Sequence, residues 1–268
     1  MVKKRILYVS QEITPYLPEN DLSKTSRFLP QAMNESGIDV RLFMPRFGCI
    51  NERRHQLHEV IRLSGMNLIV NDIDQPLIIK VASIPQARMQ VYFIDNEEYF
   101  KRKFTTEDKK GDFYSDNDER ALFFCRGVIE SVKKLGWSPD VIHCNGWMAS
   151  FLPMYLKKFY HDDPIFEKTK IVVSLYNQSF EGTLSDGLTD KLKFDGYSEE
   201  ELAGFEKVDY KKLAETAINY SDAVIKGSTE LDADLLKLIE DSKLPTLEYT
   251  DGEYKEQYKP FYETLFEE

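Results

Sequence analysis

The chain has 268 residues, with 46 acidic against 35 basic side chains, a formal net charge of −11, and 42% hydrophobic content of which aromatics are a large part. That length suits one large α/β domain or two small ones, and the apolar share supports a packed core, which excludes a disordered chain. The acidic surplus argues against nucleic acid as a partner, and no apolar run reaches the length of a membrane-spanning helix.

Residues 5–10, Arg-Ile-Leu-Tyr-Val-Ser, predict a short buried parallel strand. The basic residues before it precede too short an apolar run, with no small-residue cleavage site, to read as a secretory leader. Leu22, Phe28, Leu29, Ala32 and Met33 recur at helical spacing and predict a helix over 22–36 that Gly37 stops. A strand over 38–44 follows. This β-α-β unit is the usual opening of a doubly wound sheet. Short strand-like runs at 59–63, 66–70, 77–82 and 90–94, separated by turn residues, predict an antiparallel β insertion over about 57–94. A polar, irregular stretch over 95–115 leads to a long amphipathic helix over 116–135, with Asp116 as its N-cap and Gly136 as its stop.

Alternation then resumes: strand 140–143, helix 147–160, strand 171–176, a long loop to about 205, helix 208–220, strand 223–226 and helix 229–240. The fold class expected is α/β, a Rossmann-like parallel sheet with helices on both faces plus the antiparallel insertion. Residues 1–248 form one domain in this reading. The tail, 249–268, sets Tyr254, Tyr258, Phe261, Tyr262, Leu265 and Phe266 on one helical face, so it is expected to dock on that domain.

Cys49, Cys125 and Cys144 are odd in number and far apart, which suits a reducing cytoplasmic setting better than a disulfide framework. The sequons at Asn34, Asn177 and Asn219 are then chance. His55, His58 and His161 lack partners at metal-ligand spacing, and no glycine-rich phosphate loop or nucleophile elbow occurs, so neither metal nor cofactor is expected.

The most informative stretch is Trp-Ser-Pro-Asp-Val-Ile-His-Cys-Asn-Gly-Trp at 137–147, a buried strand running into a polar turn. In an open α/β sheet ligands bind at such carboxyl-end junctions. With it stand the opening Ile6-Leu7-Tyr8-Val9-Ser10-Gln11-Glu12-Ile13-Thr14-Pro15-Tyr16, then Leu29–Met33, Gly37–Ile50, Tyr92–Phe100, Asp116–Arg120, Pro139–His143 and Ser221–Val224. Together, and in this order, these segments make residues 4–230 resemble the N-terminal half of bacterial glycogen/starch synthases, retaining glycosyltransferases of GT-B architecture. The resemblance implies transfer of glucose from ADP-glucose or UDP-glucose to the end of an α-1,4-glucan. In that family the N-terminal domain lies mainly on the acceptor side and a C-terminal domain holds most of the nucleotide sugar.

On this resemblance the acceptor-binding candidates are Asp116, Asn117, Arg120, His143, Asn145, Trp147 and Asn177, with His143 the one candidate for catalysis. Each also has an ordinary structural reading: Asp116 as a helix cap, His143 as a strand-end histidine, Trp147 as a core anchor, Asn177 as an Asx turn. Three departures from the family pattern stand out. Where the family has Lys-Thr-Gly-Gly, whose backbone amides approach a diphosphate, this chain has Pro18-Glu19-Asn20-Asp21. Family His-x-His-Asp-Trp reads His143-Cys144-Asn145-Gly146-Trp147, and family Thr-(Ile/Val)-His-Asn reads Ser174-Leu175-Tyr176-Asn177. A proline lacks an amide donor and two acids repel phosphate, so ADP-glucose is a doubtful ligand while an α-glucan such as glycogen remains a candidate.

The second domain is expected to be missing after about residue 230. Two functions follow. One is a degenerate, non-catalytic homologue that binds α-glucan or regulates, with a protein partner or as a homo-oligomer. The other is an ADP-glucose-dependent α-1,4-glucan glucosyltransferase working with a partner that supplies the donor half.

Overall fold

The structure, a computed structural model, describes residues 3–266. In chain order the strands are β1 (Arg5–Ser10), β2 (Asp39–Pro45), β3 (His58–Glu59), β4 (Met66–Val70), β5 (Ile73–Ile84), β6 (Met89–Asp95), β7 (Val141–Asn145), β8 (Lys170–Leu175), β9 (Ala223–Lys226) and β10 (Thr246–Leu247). The helices are α1 (Asp21–Glu35), α2 (Glu52–His55), α3 (Glu97–Phe100), α4 (Asn117–Leu135), α5 (Leu152–Phe159), α6 (Leu188–Asp195), α7 (Tyr210–Asn219), α8 (Ala233–Ser242) and α9 (Lys259–Phe266). A 3₁₀ turn at Trp147–Ala149 precedes α5, and a π-helical turn at Tyr254–Tyr258 precedes α9.

The sheet runs β10-β9-β8-β7-β1-β2-β6-β5-β3, with β4 paired to β5 off this path. From β10 to β6 every pairing is parallel, and those of β5 with β6, β3 and β4 are antiparallel. The insertion is therefore smaller than the alternation of residues suggests. Residues 89–95 belong to the main sheet, with Leu42 beside Val91 and Pro45 beside Ile94. Of the expected strand at 59–63 only Glu59 pairs, as part of β3.

β1 is the centre of the sheet, and Ile6, Leu7, Tyr8 and Val9 have no exposed surface. The chain moves one way from β1 to β2 and the other way from β7 through β8 and β9 to β10. Right-handed crossovers then put α1 on one face and α5, α7 and α8 on the other. The first face is completed by the tail. Its π-helical turn packs on α1 and α9 packs on β7, with Tyr258 and Tyr262 fully buried. Along β7 the side chains alternate, so His143 points away from the side of Ile142 and Cys144. There it meets Tyr262, whose Oη lies 2.7 Å from His143 Nδ1.

The loop expected to run to 205 contains α6. Its two leucines, Leu188 and Leu192, are buried while Phe194 is exposed, and Gly196 ends it in the left-handed conformation. The helix expected over 147–160 is broken, because a 3₁₀ turn carries the chain out of the strand and α5 starts only near Pro153, where a missing amide costs nothing.

The contact between tail and sheet gives a direct test. Tyr262→Phe removes only the hydroxyl and leaves the buried Nδ1 of His143 without its partner, a cost of about 1–3 kcal/mol. Tyr262→Ala also opens a cavity and is expected to cost about 3–5 kcal/mol. Urea unfolding reads both, and a Tyr262→Phe midpoint equal to that of the parent chain would contradict the contact.

Candidate functional site

β1 lies between β7 and β2, and the connections leaving β1 and β7 go to opposite sides of the sheet. The crevice beyond their carboxyl ends is where an open α/β sheet takes a ligand. Here it is filled by the chain's own side chains. Gln11, 4% exposed, donates its backbone N–H to the Asn145 carbonyl at 2.9 Å and accepts from the Met148 N–H through Oε1 at 3.2 Å. Gly146 sits at φ +85°, and a Cβ there would lie 2.7 Å from the Gln11 Cβ and 2.8 Å from Leu22 Cδ1. An aspartate at this position meets both a disfavoured backbone and a clash.

Asn145 and Tyr176 touch each other. Tyr176 Oη donates to Asn145 Oδ1 at 2.9 Å, and both residues are buried. The Tyr176 ring lies against Gly227, where a Cβ would come within 2.4 Å of it. Its carbonyl accepts from Tyr210 Oη at 2.6 Å. Asn145 Nδ2 turns back to the His143 carbonyl at 3.3 Å.

His143 has no exposed surface, and its Nε2 lies 2.6 Å from Ser174 Oγ, opposite the Tyr262 contact. Burial pushes its pKa down to about 3. The ring is neutral at ordinary pH with both nitrogens engaged inside the protein, so in this structure it does not line an open cleft.

The segment from 116 to 120 is also turned inward. Asp116 caps nothing with its side chain and instead holds Arg102 through two contacts of 2.6 and 2.5 Å. Asn117 donates to the Thr106 carbonyl at 2.7 Å and accepts from Arg120 at 2.5 Å. Arg120 has no exposed surface, donates to the Tyr99 carbonyl at 2.7 Å, and lies under the rings of Phe47, Phe100 and Tyr114. Burial, assisted by Arg102, lowers its pKa to about 10. Trp147 packs against Phe113 and Phe180 and is 5% exposed. Asn177 is exposed, yet its amide bridges to the loop leading into α8, donating to the Glu230 carbonyl at 2.5 Å and accepting from the Asp232 N–H at 3.0 Å. The seven candidates thus lie around the carboxyl ends of β7 and β8 and the start of α4, with their polar groups largely spent on the chain itself.

What residue-by-residue reading missed is the internal chemistry of the first loop. Asn20 Oδ1 accepts from the Ser23 N–H at 2.8 Å, Ser23 Oγ accepts from the Asn20 N–H at 2.9 Å, and the Lys24 N–H bonds the Asn20 carbonyl at 3.0 Å. This capping box occupies amides at the start of α1 that a phosphate otherwise uses. The signal was the Asn-x-x-Ser spacing at 20–23. Asn20 Nδ2 also donates to Glu12 Oε2 at 2.6 Å, and burial raises the pKa of Glu12 against the effect of Asn20 and Gln11. Beside this loop opens a cavity of about 630 Å³ lined by Glu12, Tyr16, Pro18, Asn20, Lys103 and Phe104, among others. Among the described residues no group of three metal-ligating side chains comes together.

Comparison with known proteins places this geometry in context. The model of the starch synthase catalytic domain matches residues 5–244. A glycogen synthase of Chlorobium luteolum is 38% identical over 189 residues, which is 70% of this chain and 39% of that protein. One of Chlorobium phaeobacteroides is 34% identical over 236 residues, 87% of this chain and 47% of that protein. The chain spans less than half the length of these relatives. In fold it is similar to the catalytic domain of Starch Synthase IV from Arabidopsis thaliana bound to ADP and acarbose, with a TM-score of 0.69, 18% identity, and coverage of 84% of this chain and 45% of that one.

The buried imidazole has a measurable consequence. Its folded pKa lies below the value of 6.5 for a free histidine, so below pH 6.5 the unfolded chain binds a proton that the folded chain refuses. Stability from this group is intact above pH 6.5 and falls as pH drops toward 3. Between pH 7 and 5 the loss is about 2 kcal/mol. His143→Gln lacks this term, so its unfolding free energy is expected to vary less with pH than that of the parent chain. Parallel pH profiles for the two would contradict a neutral, buried His143.

Proposed function

The chain belongs to the starch synthase catalytic domain family, and on that premise we propose that it is an α-glucan-binding, regulatory member that does not itself transfer glucose. One observation carries this reading: the start of α1, where the family resemblance puts a diphosphate cradle, is closed by its own capping box and ringed by acids. Pro18 has no N–H, the Ser23 and Lys24 amides are bonded to Asn20, and Glu12, Glu19 and Asp21 stand around the same turn. A diphosphate placed here meets carboxylates where it needs donors, and like charges in partly buried surroundings repel strongly.

An uncharged polyol does not suffer that repulsion. The adjoining cavity offers carboxylate and hydroxyl groups of Glu12, Thr105 and Thr106, a single lysine, Lys103, and apolar walls from Leu17, Pro18 and the 39% exposed Phe104. Apolar walls with a few convergent polar groups suit a sugar ring. The acarbose in the Starch Synthase IV structure is a glucan-like ligand on the same fold, which supports a glucan as the ligand class. The crevice filled by Gln11, Tyr176 and Asn145 agrees with a domain that no longer positions a donor beside an acceptor, on which rate enhancement in such transfers depends. The proposed setting is the cytoplasm, where the two buried cysteines stay reduced.

The second reading is ADP-glucose-dependent α-1,4-glucan synthesis with a partner supplying the donor half. The 38% identity to a glycogen synthase favours it. Three measurements on the purified chain separate the two. Glycogen in a native gel is expected to retard the protein, calorimetric titration with ADP and ADP-glucose to give no binding heat, and a transfer assay on glycogen to show no turnover. Replacing Pro18-Glu19-Asn20-Asp21 by Lys-Thr-Gly-Gly is expected to bring in ADP binding that the parent lacks. Turnover by the parent chain, alone or with an added donor half, contradicts the proposal, as does migration unaffected by glycogen.

A further inference from the structure

A second recessed region lies at the other side of the sheet's carboxyl end. One cavity of about 450 Å³ is bounded by the loops at 113–118 and 181–186, and another of about 560 Å³ by residues 180–182 and the starts of α7 and α8. Gly182 lines both. Phe113 lines the first and Phe180 the second, and their rings stack at 4.8 Å between centroids. The two cavities thus form one groove with an aromatic step at its middle.

The charges lining this groove are carboxylates apart from one lysine, Lys211, in the second cavity. Asp118, Glu181 and Asp186 line the first cavity, and Asp209, Asp232 and Asp234 the second. The positive groups around it are engaged. Lys191 is held by Asp118 and Glu119 at 2.7 and 2.8 Å, Lys211 by Asp234 at 2.9 Å, and Arg102 by Asp116 at 2.5 Å. Arg120 is tucked under the rings of Phe47, Phe100 and Tyr114. Glu181, Asp186 and Asp232 have no cationic partner among the described residues and are exposed.

Asp118 is the independent sign of a ligand. It has no exposed surface, one carboxylate oxygen takes Lys191, and the other, Oδ1, has no hydrogen-bond partner although the residue lines the cavity. An orphaned carboxylate oxygen is costly to bury and is satisfied by a donor from outside the chain. Asp118 and Glu119 stand inside the 116–120 segment, and their buried counter-charge comes from α6.

We propose that this groove binds a linear polyamine, an alkyl chain bearing several ammonium groups. Ammonium groups donate and do not accept, which matches a lining rich in carboxylates. One ammonium bonds Asp118 Oδ1 with Glu181 and Asp186 beside it, the methylene stem crosses the Phe113–Phe180 pair, and a second ammonium meets Asp232 and Asp209. Ammonium groups and polarised methylenes are attracted to aromatic faces. This site is separate from the glucan cavity beside the first loop and does not rest on that assignment.

The test is calorimetric titration of the full chain with spermidine at low and at moderate salt, repeated on the double variant Glu181→Gln/Asp186→Asn and on Asp118→Asn. Both residues of the double variant are exposed, so its folding is unaffected, and a thermal melt checks Asp118→Asn. Spermidine is expected to bind with single-site stoichiometry, and each variant to weaken binding about tenfold or more. Absence of binding by the parent overturns the proposal. So does equal affinity in the double variant, which means diffuse attraction to an acidic chain. Displacement of spermidine by maltohexaose also overturns it, because the groove is then part of the glucan surface.

Discussion

A helix that starts at the carboxyl end of a central parallel strand points unpaired amides at whatever occupies that end of the sheet. Those amides must bond something. In an α/β protein that handles phosphate, the ligand itself does so, and glycine lets the backbone come close. In this chain Asn20 does so, with Ser23 returning the bond. The Ser23 amide is bonded before any ligand arrives, and the same asparagine also holds Glu12 at 2.6 Å. The turn thus uses an amide donor within the chain and fixes a carboxylate beside it.

The rest of the crevice follows the same logic. Its residues are bonded or packed in mutually fitted pairs. Asn145 accepts from Tyr176, Gly146 clears space for Gln11 and Leu22, and Gly227 clears space for the Tyr176 ring. His143 keeps its place in the middle of β7, where both buried ring nitrogens need partners, and Ser174 and Tyr262 supply them. A larger residue at 146 or a shorter one at 176 therefore breaks a contact elsewhere. An aspartate at 146 collides with Gln11, and a shorter ring at 176 leaves Asn145 Oδ1 unbonded. Local choices that agree with one another in this way define a stable alternative arrangement of the same fold.

The fold was largely legible because its central strands and long helices carry strong periodicity. β1, α1, β2, α4, β7, β8 and β9 coincide with short apolar runs or amphipathic repeats. The differences lie where pairing is non-local. Nothing in Met89–Asp95 itself says that it joins β2 in parallel as well as β5 in antiparallel fashion. α6 carries only two well-spaced leucines and needs tertiary burial to exist. At the site, the altered residues were visible one by one, and so was the aromatic stripe of the tail. Their partnerships were not, because Tyr262 and His143 are 119 positions apart and Tyr176 and Asn145 are 31 apart. Lys191 with Asp118 is a similar case: a lysine in an apparent loop gave no hint that it neutralises a buried acid, which raises its own pKa despite burial.

The most direct measurement of the central claim is the backbone amide spectrum of the Asn20–Lys24 turn during titration with ADP. If Asn20 has closed the start of α1, the Ser23 and Lys24 amide resonances stay fixed up to millimolar ADP in the parent chain and move only in the Lys-Thr-Gly-Gly graft. Saturable movement of those two resonances in the parent chain would contradict the account, because it would show a phosphate competing for amides that the structure gives to asparagine.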